Sequence, residues 1–497
     1  MNKLALSVAI LSLCAGCGSA ESDSGSGPGA GGNVGGEPPY GTEADLPEDV
    51  AEAGLGASQI KEPMAGACLA SAPLEAVGLE LPDTQGMASV GRAREALQRD
   101  PAEIPWPSRI RTSDFLNYYR FSVAKPADAQ GEAFVTAQAK YRFLYNAANP
   151  SGVFTGQWDV AITLQALPPK DRAKHAFIAL VDTTPSMAGV GMGRAKAVLA
   201  ALLKSAPAGD HVVVLTTDPK QEPLVELDLA GPGEREQALA AVGALDLGAE
   251  AAITDAIDRS YDLAEAKQGS GVAARVLLIS DGGGDVTRLN ETRIAAGSAP
   301  GQTPILLTAI GTGSSNTFRS TLLRRASELG RGPYVYVDSE DEAENLLGTR
   351  LAELTELGLD DVSLQLEVSP FFSVEQGDGE PSEPRPQYLA PGGSMTKLVR
   401  LVPCQFGGWP DDAALKVTAK FSGKTATWTG NLHELKKLPH PLVDKALAID
   451  AFADALRARD AERLGAAKAL IEGTLKAGAD AQLTEIQGLL ARHPMTP

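Results

Sequence analysis

Between His175 and Asp338 the chain alternates five short apolar runs with segments of helical periodicity, and no other feature restricts its fold so tightly. The runs are HAFIALVD (175–182), HVVVLTTD (211–218), RVLLISDG (275–282), PILLTAIG (304–311) and PYVYVD (333–338). Their apolar character is mostly continuous rather than alternating, as in parallel strands covered on both faces. Between them GRAKAVLAALLKS (193–205), EREQALAAVGAL (234–245), TDAIDRSYDLAEA (254–266) and TFRSTLLRRASELG (317–330) carry the helical segments. A further helix is expected from Ser339, because Ser339-Glu340-Asp341-Glu342 has the form of a capping box. The acidic run 338–342 reads as a solvated helix start, where carboxylates face the positive end of the dipole, rather than as a Ca²⁺ loop. Strand–helix repetition of this kind predicts an α/β doubly wound sheet.

In such sheets ligands bind where loops leave the carboxyl ends of the strands. Two loops stand out there: Asp182-Thr183-Thr184-Pro185-Ser186 and Asp281-Gly282-Gly283-Gly284-Asp285. On an extended loop Asp182, Thr184 and Ser186 point the same way, and one carboxylate with two hydroxyls is a hard-oxygen set suited to Mg²⁺. Asp281, from a neighbouring strand end, would close the shell. A polar turn that merely caps the following helix has the same spacing, so the residues alone leave both readings open.

The Asp-x-Thr-x-Ser-Met loop, the Ser-Asp-Gly loop and the strand–helix succession resemble a von Willebrand factor type A domain with its metal-ion-dependent adhesion site. Segments ASVGRAREAL (88–97), DFLNYY (114–119) and YVYVDS (334–339) are similar to those flanking this domain in a group of bacterial lipoproteins, so the resemblance extends over residues 85–490. It implies Mg²⁺, or Mn²⁺ or Ca²⁺ in its place, on Asp182, Thr184, Ser186 and Asp281. One coordination position is then left for a Glu or Asp of a partner protein. The implied function is protein binding without catalysis. Two departures stand out. The second site residue is usually Ser, and Thr184 keeps only its hydroxyl. The Thr expected six residues before Ile257 is Ala251, and Thr254 replaces it only if the loop shifts.

The N-terminus bears on the compartment. Lys3 is followed by an apolar run, Leu4–Leu13, of ten residues at about 1.5 Å each, too short for a hydrocarbon core of roughly 30 Å. Residues 1–16 therefore read as a signal peptide. Leu13-Cys14-Ala15-Gly16-Cys17 resembles a bacterial lipobox, with Cys14 where Leu is usual, which implies lipidation of Cys17 and a membrane anchor. Residues 17–60, rich in Gly, Ser and Pro, read as a disordered tether. By family custom Gly18 after the cysteine points to the outer membrane of the cell envelope. Cys68 and Cys404, which remain after processing, are a candidate disulfide in an oxidising envelope.

With 44 Lys and Arg against 63 Asp and Glu, the net charge of −19 opposes contact with phosphate backbones, and nucleic acid is excluded as a partner. The extended stretches of residues 85–170 and 360–432 alternate with period two, and one set lies on each side of the α/β unit at 175–350. They are expected to pair into a β-sandwich in which that unit is inserted. The expected strands include FSVAKPADA, EAFVTAQAKYRFLY, WDVAITLQAL, VSLQLEVSPFFSVEQ, MTKLVRLVPC, LKVTAKF and TATWTG. Residues 440–493 carry helical spacing and form a tail.

Gly189, Gly191 and Gly193 start too far beyond Val181 to be a dinucleotide loop and read as a turn into a helix. His175, His211, His433, His440 and His493 are dispersed and read as structural. Two rival functions remain. One is a Mg²⁺-dependent envelope hydrolase using Asp182 and Asp281, with Arg194 or Lys196 as its basic group. The other is a metal-free structural scaffold.

Overall fold

The computed structural model describes residues 73–495 apart from short internal stretches, the longest being 146–153, 377–386 and 404–412. The signal peptide, the tether, Cys17, Cys68 and Cys404 lie outside the described residues. No described helix is long and apolar enough to cross a membrane.

Strand β1 (Glu75–Leu79), helices α1 (Ala88–Arg99) and α2 (Thr112–Tyr118), and two long strands, β2 (Ala133–Tyr145) and β3 (Phe154–Ala166), precede the α/β unit. The unit runs β4 (Lys174–Val181), α3 (Val190–Ser205), β5 (His211–Thr216), β6 (Val225–Asp228), α4 (Pro232–Gly243), α5 (Ile253–Lys267), β7 (Val272–Ser280), α6 (Glu291–Gly297), β8 (Leu306–Gly311), α7 (Thr321–Gly330) and β9 (Arg331–Tyr336). It closes with α8 (Glu340–Ala343), a π-helical turn (Glu344–Thr349) and α9 (Leu351–Thr355). All five apolar runs are strands. The sequence pattern missed β6, a four-residue edge strand antiparallel to β5 whose two exposed carboxylates, Glu226 and Asp228, break its apolar signal.

The six strands lie in the order β6-β5-β4-β7-β8-β9. Successive residues of β4 point to opposite faces and enter different cores. Phe177, Ala179 and Val181 pack with Val198, Leu202 and Val242 on the α3/α4 side. Ala176, Ile178 and Leu180 pack with Ile257, Ile294 and Leu323 on the α5/α6/α7 side. Burial on both faces is what makes the strand read as a continuous apolar run.

Strands β10 (Leu359–Val368), β11 (Phe372–Glu375), β12 (Gln387–Leu389), β13 (Ser394–Pro403), β14 (Ala414–Phe421) and β15 (Lys424–Asn431) follow. One sheet is ordered β11-β13-β3-β2 and the other β1-β10-β14-β15, with β12 also on β10. Strand β13 pairs antiparallel with β3 from Ser394↔Gln165 to Leu401↔Trp158, so strands from before and after the α/β unit share one sheet. The two sheets face each other over a common core that includes Trp158, Ile162, Leu366 and Val417. The stretch FSVAKPADA forms no strand among its described residues, and Pro126 within it has no N–H to give a ladder. VSLQLEVSPFFSVEQ is divided between β10 and β11 at Ser369-Pro370. Helix α10 (Leu432–Leu435) leads into α11 (Pro441–Ala458), α12 (Ala461–Ala477) and α13 (Ala481–Leu490). Val443, Ile449 and Phe452 of α11 join the core of the α3 side.

Candidate functional site

From β4 the chain first builds outward to β5 and β6, then crosses to β7 and builds the other way, so the strand order reverses between β4 and β7. A crevice opens at the carboxyl ends of the two strands flanking such a reversal, because their loops diverge. Asp182 directly follows β4 and Asp281 directly follows β7. The two loops are locked together at their roots, where the Asp182 N–H donates to the Ile279 carbonyl at 2.8 Å.

Asp182 is 1% exposed and Asp281 5% exposed. Asp182 Oδ1 accepts from the Thr184 N–H (2.9 Å) and hydroxyl (2.7 Å), and Oδ2 accepts from the Ser280 hydroxyl (2.7 Å). Thr184 Oγ1 lies 3.0 Å from the hydroxyl of Ser186, which is exposed at the mouth. The second loop approaches through Gly283. Its N–H donates to Asp281 Oδ1 at 2.8 Å, and a Cβ at that position would lie 3.1 Å from Asp281 Oδ1 and 3.5 Å from Ser186 Oγ. Ser186 and Asp281, 95 residues apart in sequence, thus line one small cradle beside a glycine. Gly282 makes this loop possible, since it sits at φ 82° and a Cβ there would fall 1.6 Å from the Arg319 carbonyl oxygen.

Burial pushes the Asp182 carboxyl above its ordinary pKa, the hydrogen bonds from Ser280 and Thr184 oppose that rise, and the neighbouring Asp281 charge adds to it. Neither Asp182 nor Asp281 is ion-paired to a Lys or Arg among the described residues. Two adjacent buried carboxylates held only by hydroxyls and N–H groups form a donor set that fits a hard divalent cation. No group of three or more His, Cys, Asp or Glu is arranged to hold a metal among the described residues. A cation on this rim would therefore rely on the hydroxyls and on water beside the two carboxylates.

Thr254 lies in the first turn of α5, is buried, and hydrogen-bonds none of the four residues above. Arg194 and Lys196, the basic groups a hydrolase would need, are hydrogen-bonded to groups other than the four rim residues. Arg194 pairs with Glu95 of α1 at 2.6 Å, and Lys196 Nζ donates to the Gly243 carbonyl at 3.0 Å. Gly189 caps α3 at φ 78°, which fits its reading as a turn.

The acidic run at 338–342 departs from the solvated helix start expected of it. Ser339 does cap α8, with its hydroxyl accepting from the Glu342 N–H at 3.1 Å. The side chains of Asp338 and Glu342, however, are 3% and 5% exposed and both bind Arg94 of α1, at 2.6 and 2.9 Å. Tyr118 also donates to Glu342, at 2.9 Å. Burial pushes the Glu342 carboxyl up, while Arg94 opposes that shift. A local capping pattern gives no sign of a cation 244 residues away.

Residues 177–283 match the family model of the von Willebrand factor type A domain, so the α/β unit carries such a domain. The uncharacterized protein YfbK of Escherichia coli (strain K12) is 23% identical over 319 residues, which is 62% of this chain and 52% of that protein. The match thus spans about half the length of this curated relative. A solved von Willebrand factor type A structure from Catenulispora acidiphila aligns with a TM-score of 0.40 at 15% identity, covering 75% of this chain and 99% of its own. The pilus adhesin SpaC from Lactobacillus rhamnosus GG aligns with a TM-score of 0.30 at 11% identity, covering 59% of this chain and 47% of its own.

Proposed function

We propose that this chain is a protein-binding module without catalytic activity, whose von Willebrand factor type A domain docks a partner at the rim formed by Asp182, Thr184, Ser186 and Asp281. The observation that carries this reading is the pair of adjacent buried carboxylates with no internal cation. Asp182 and Asp281, with the exposed Ser186 and the Thr184 hydroxyl beside it, would hold Mg²⁺ or a similar divalent ion. A bound ion supplies an electrophilic point at which a partner's Glu or Asp can complete the coordination. A lipid on Cys17 would anchor the chain to the envelope.

Titration calorimetry of the folded body with Mg²⁺ and Mn²⁺ tests the reading. Saturable heat that disappears in Asp281→Asn supports it, and no heat at millimolar metal refutes the metal. The lipid anchor has its own test: palmitate incorporation in cells, lost in Cys17→Ala. The envelope hydrolase is the weaker reading because Arg194 and Lys196 are both engaged elsewhere. A phosphatase screen with Mg²⁺ separates the two.

A further inference from the structure

The turn after β8 touches both halves of the rim. A Cβ at Gly313 would lie 2.6 Å from Asp281 Cβ, so this glycine is packed directly against the second loop. On its other side, Thr312 lies 3.9 Å from the sulfur of Met187, the fully buried neighbour of Ser186. Gly191, in the first turn of α3, closes the same contact. A Cβ there would lie 3.4 Å from Met187 Sδ and 3.8 Å from Gly313 Cα. The Thr312–Gly313 turn therefore sits between the segment that carries Ser186 and the segment that carries Asp281.

Two side chains of the α/β unit hold this turn, and the group that anchors them comes from outside the unit. The Gly313 carbonyl accepts from Arg194 Nη1 at 2.7 Å and lies 2.6 Å from the Tyr336 hydroxyl. Arg194 and Tyr336 both hydrogen-bond the carboxylate of Glu95, on α1, with Arg194 Nη2 at 2.6 Å from Oε1. The Glu95 carboxylate is thus the shared anchor: Arg194 has separate N–H donors for it and for the Gly313 carbonyl, and the single Tyr336 hydroxyl proton is shared between the two acceptors.

We propose that Glu95 is a positioning residue for the binding rim: by holding Arg194 and Tyr336 on the Gly313 carbonyl it fixes the Thr312–Gly313 turn, and with it the spacing of Ser186 and Asp281. This deepens the reading of the rim as a docking site and rests on it for its biological meaning. Displacement of α1 would then loosen the rim without touching any residue in it, which makes the docking of α1 a control point for binding.

The test is hydrogen exchange of the full chain by mass spectrometry, in chelator, on wild type, Glu95→Gln and Tyr336→Phe, with thermal midpoints recorded. Peptides spanning 186–188, 281–285 and 311–314 are expected to exchange at least tenfold faster in Glu95→Gln, while those of β4 and the sandwich stay at wild-type rates. Unchanged exchange in the rim peptides overturns the proposal, and so does a uniform rise across the chain, which marks a merely structural loss. If Glu95→Gln does not fold, Tyr336→Phe decides by the same criterion, since it removes only the hydroxyl. Arg99→Ala, which deletes an exposed partner of Glu95, is expected to leave the rim at wild-type rates. Because the readout needs no metal, absence of Mn²⁺ heat in wild type would sink the metal reading alone and leave this result standing.

Discussion

Two pairs of carboxylates in this molecule are equally buried and differently answered. Asp338 and Glu342 share the guanidinium of Arg94, so each has a cationic partner inside the fold, although one positive charge offsets only one of their two negative charges. Asp182 and Asp281, near enough for the charge of one to act on the other, have hydroxyl and N–H donors only. Burying a charge is tolerable when it is paired or bound to a cation. The first pair is therefore held by an internal cation and serves to fasten α1 to the end of the α/β unit. The second is incomplete, and that incompleteness makes it the candidate for an external ion. Burial alone would not have told them apart.

The largest effect should come from breaking the satisfied pair. Arg94→Met leaves two buried carboxylates without their cation and is expected to cost about 3–5 kcal/mol, read as a lower urea midpoint. Asp182→Asn in chelator should shift the midpoint the opposite way, because it removes a charge that burial and Asp281 both disfavour. If both variants moved stability in the same direction, the contrast between the pairs would fail.

Adding the ion should convert the second pair into something like the first. At a hundred times its dissociation constant, Mn²⁺ is expected to stabilise the wild-type chain by about 2.7 kcal/mol. Thermal scans with and without chelator measure this, and Asp281→Asn should abolish the shift. Arg94→Met, which is folded less tightly but keeps its rim, should retain it. Loss of the shift in Arg94→Met would show that the two regions are not independent.

Glu95 joins the two regions, and its pH behaviour separates their contributions. Burial pushes its carboxyl up, but hydrogen bonds from Arg194 and Tyr336 and the charge of Arg194 outweigh that and hold it below the usual carboxylate pKa. A group lowered in this way stabilises the fold fully above its unfolded pKa near 4.5, and the contribution is lost as pH falls through the folded value. Wild type should therefore lose stability below that point with a slope steeper by up to about 1.4 kcal/mol per pH unit than Glu95→Gln. Urea midpoints from pH 6 to pH 3 would test this, and parallel curves for the two proteins would remove Glu95 as the anchor.

Much of this was legible in the sequence for one physical reason. Strands buried on both faces declare themselves as continuous apolar runs, and side chains at 182, 184 and 186 share a loop, so their convergence is a matter of local spacing. Asp281 could be added because the reversal of a doubly wound sheet fixes which strand ends meet. Partnerships across long sequence separations left no such trace. Arg94 with Asp338, and Glu95 with Arg194, join segments whose local patterns each have an ordinary explanation, a capping box in one case and an amphipathic helix in the other. Strand β1 was missed because its five residues include an exposed Glu and a Gly, and it is defined chiefly by pairing with β10. Thr254 illustrates the opposite limit. Its residue type suited the site, but helix α5 starts one residue before it and keeps its hydroxyl out of hydrogen-bond reach of the other four oxygens.

The smallest effect on stability should come from Ser186, and it gives the sharpest separation of folding from binding. Its side chain is exposed, and its single contact within the rim is with the Thr184 hydroxyl at 3.0 Å. Ser186→Ala should therefore change stability by no more than about 0.5 kcal/mol in chelator. Thr184→Val, which removes a buried hydroxyl from its two hydrogen-bonding partners, Asp182 and Ser186, should cost about 1 kcal/mol. On metal affinity the ranking should not follow stability. Ser186 shares the cradle at Gly283 with Asp281, so its loss removes an oxygen from the opening itself, whereas Thr184 acts mainly by orienting Asp182. Both variants should weaken Mn²⁺ by about tenfold or more, the range found when groups that orient metal ligands are removed. If Ser186→Ala left Mn²⁺ affinity at the wild-type value while Thr184→Val reduced it, the ion would be sitting deeper, on Asp182, and the exposed hydroxyl would belong to the helix turn alone.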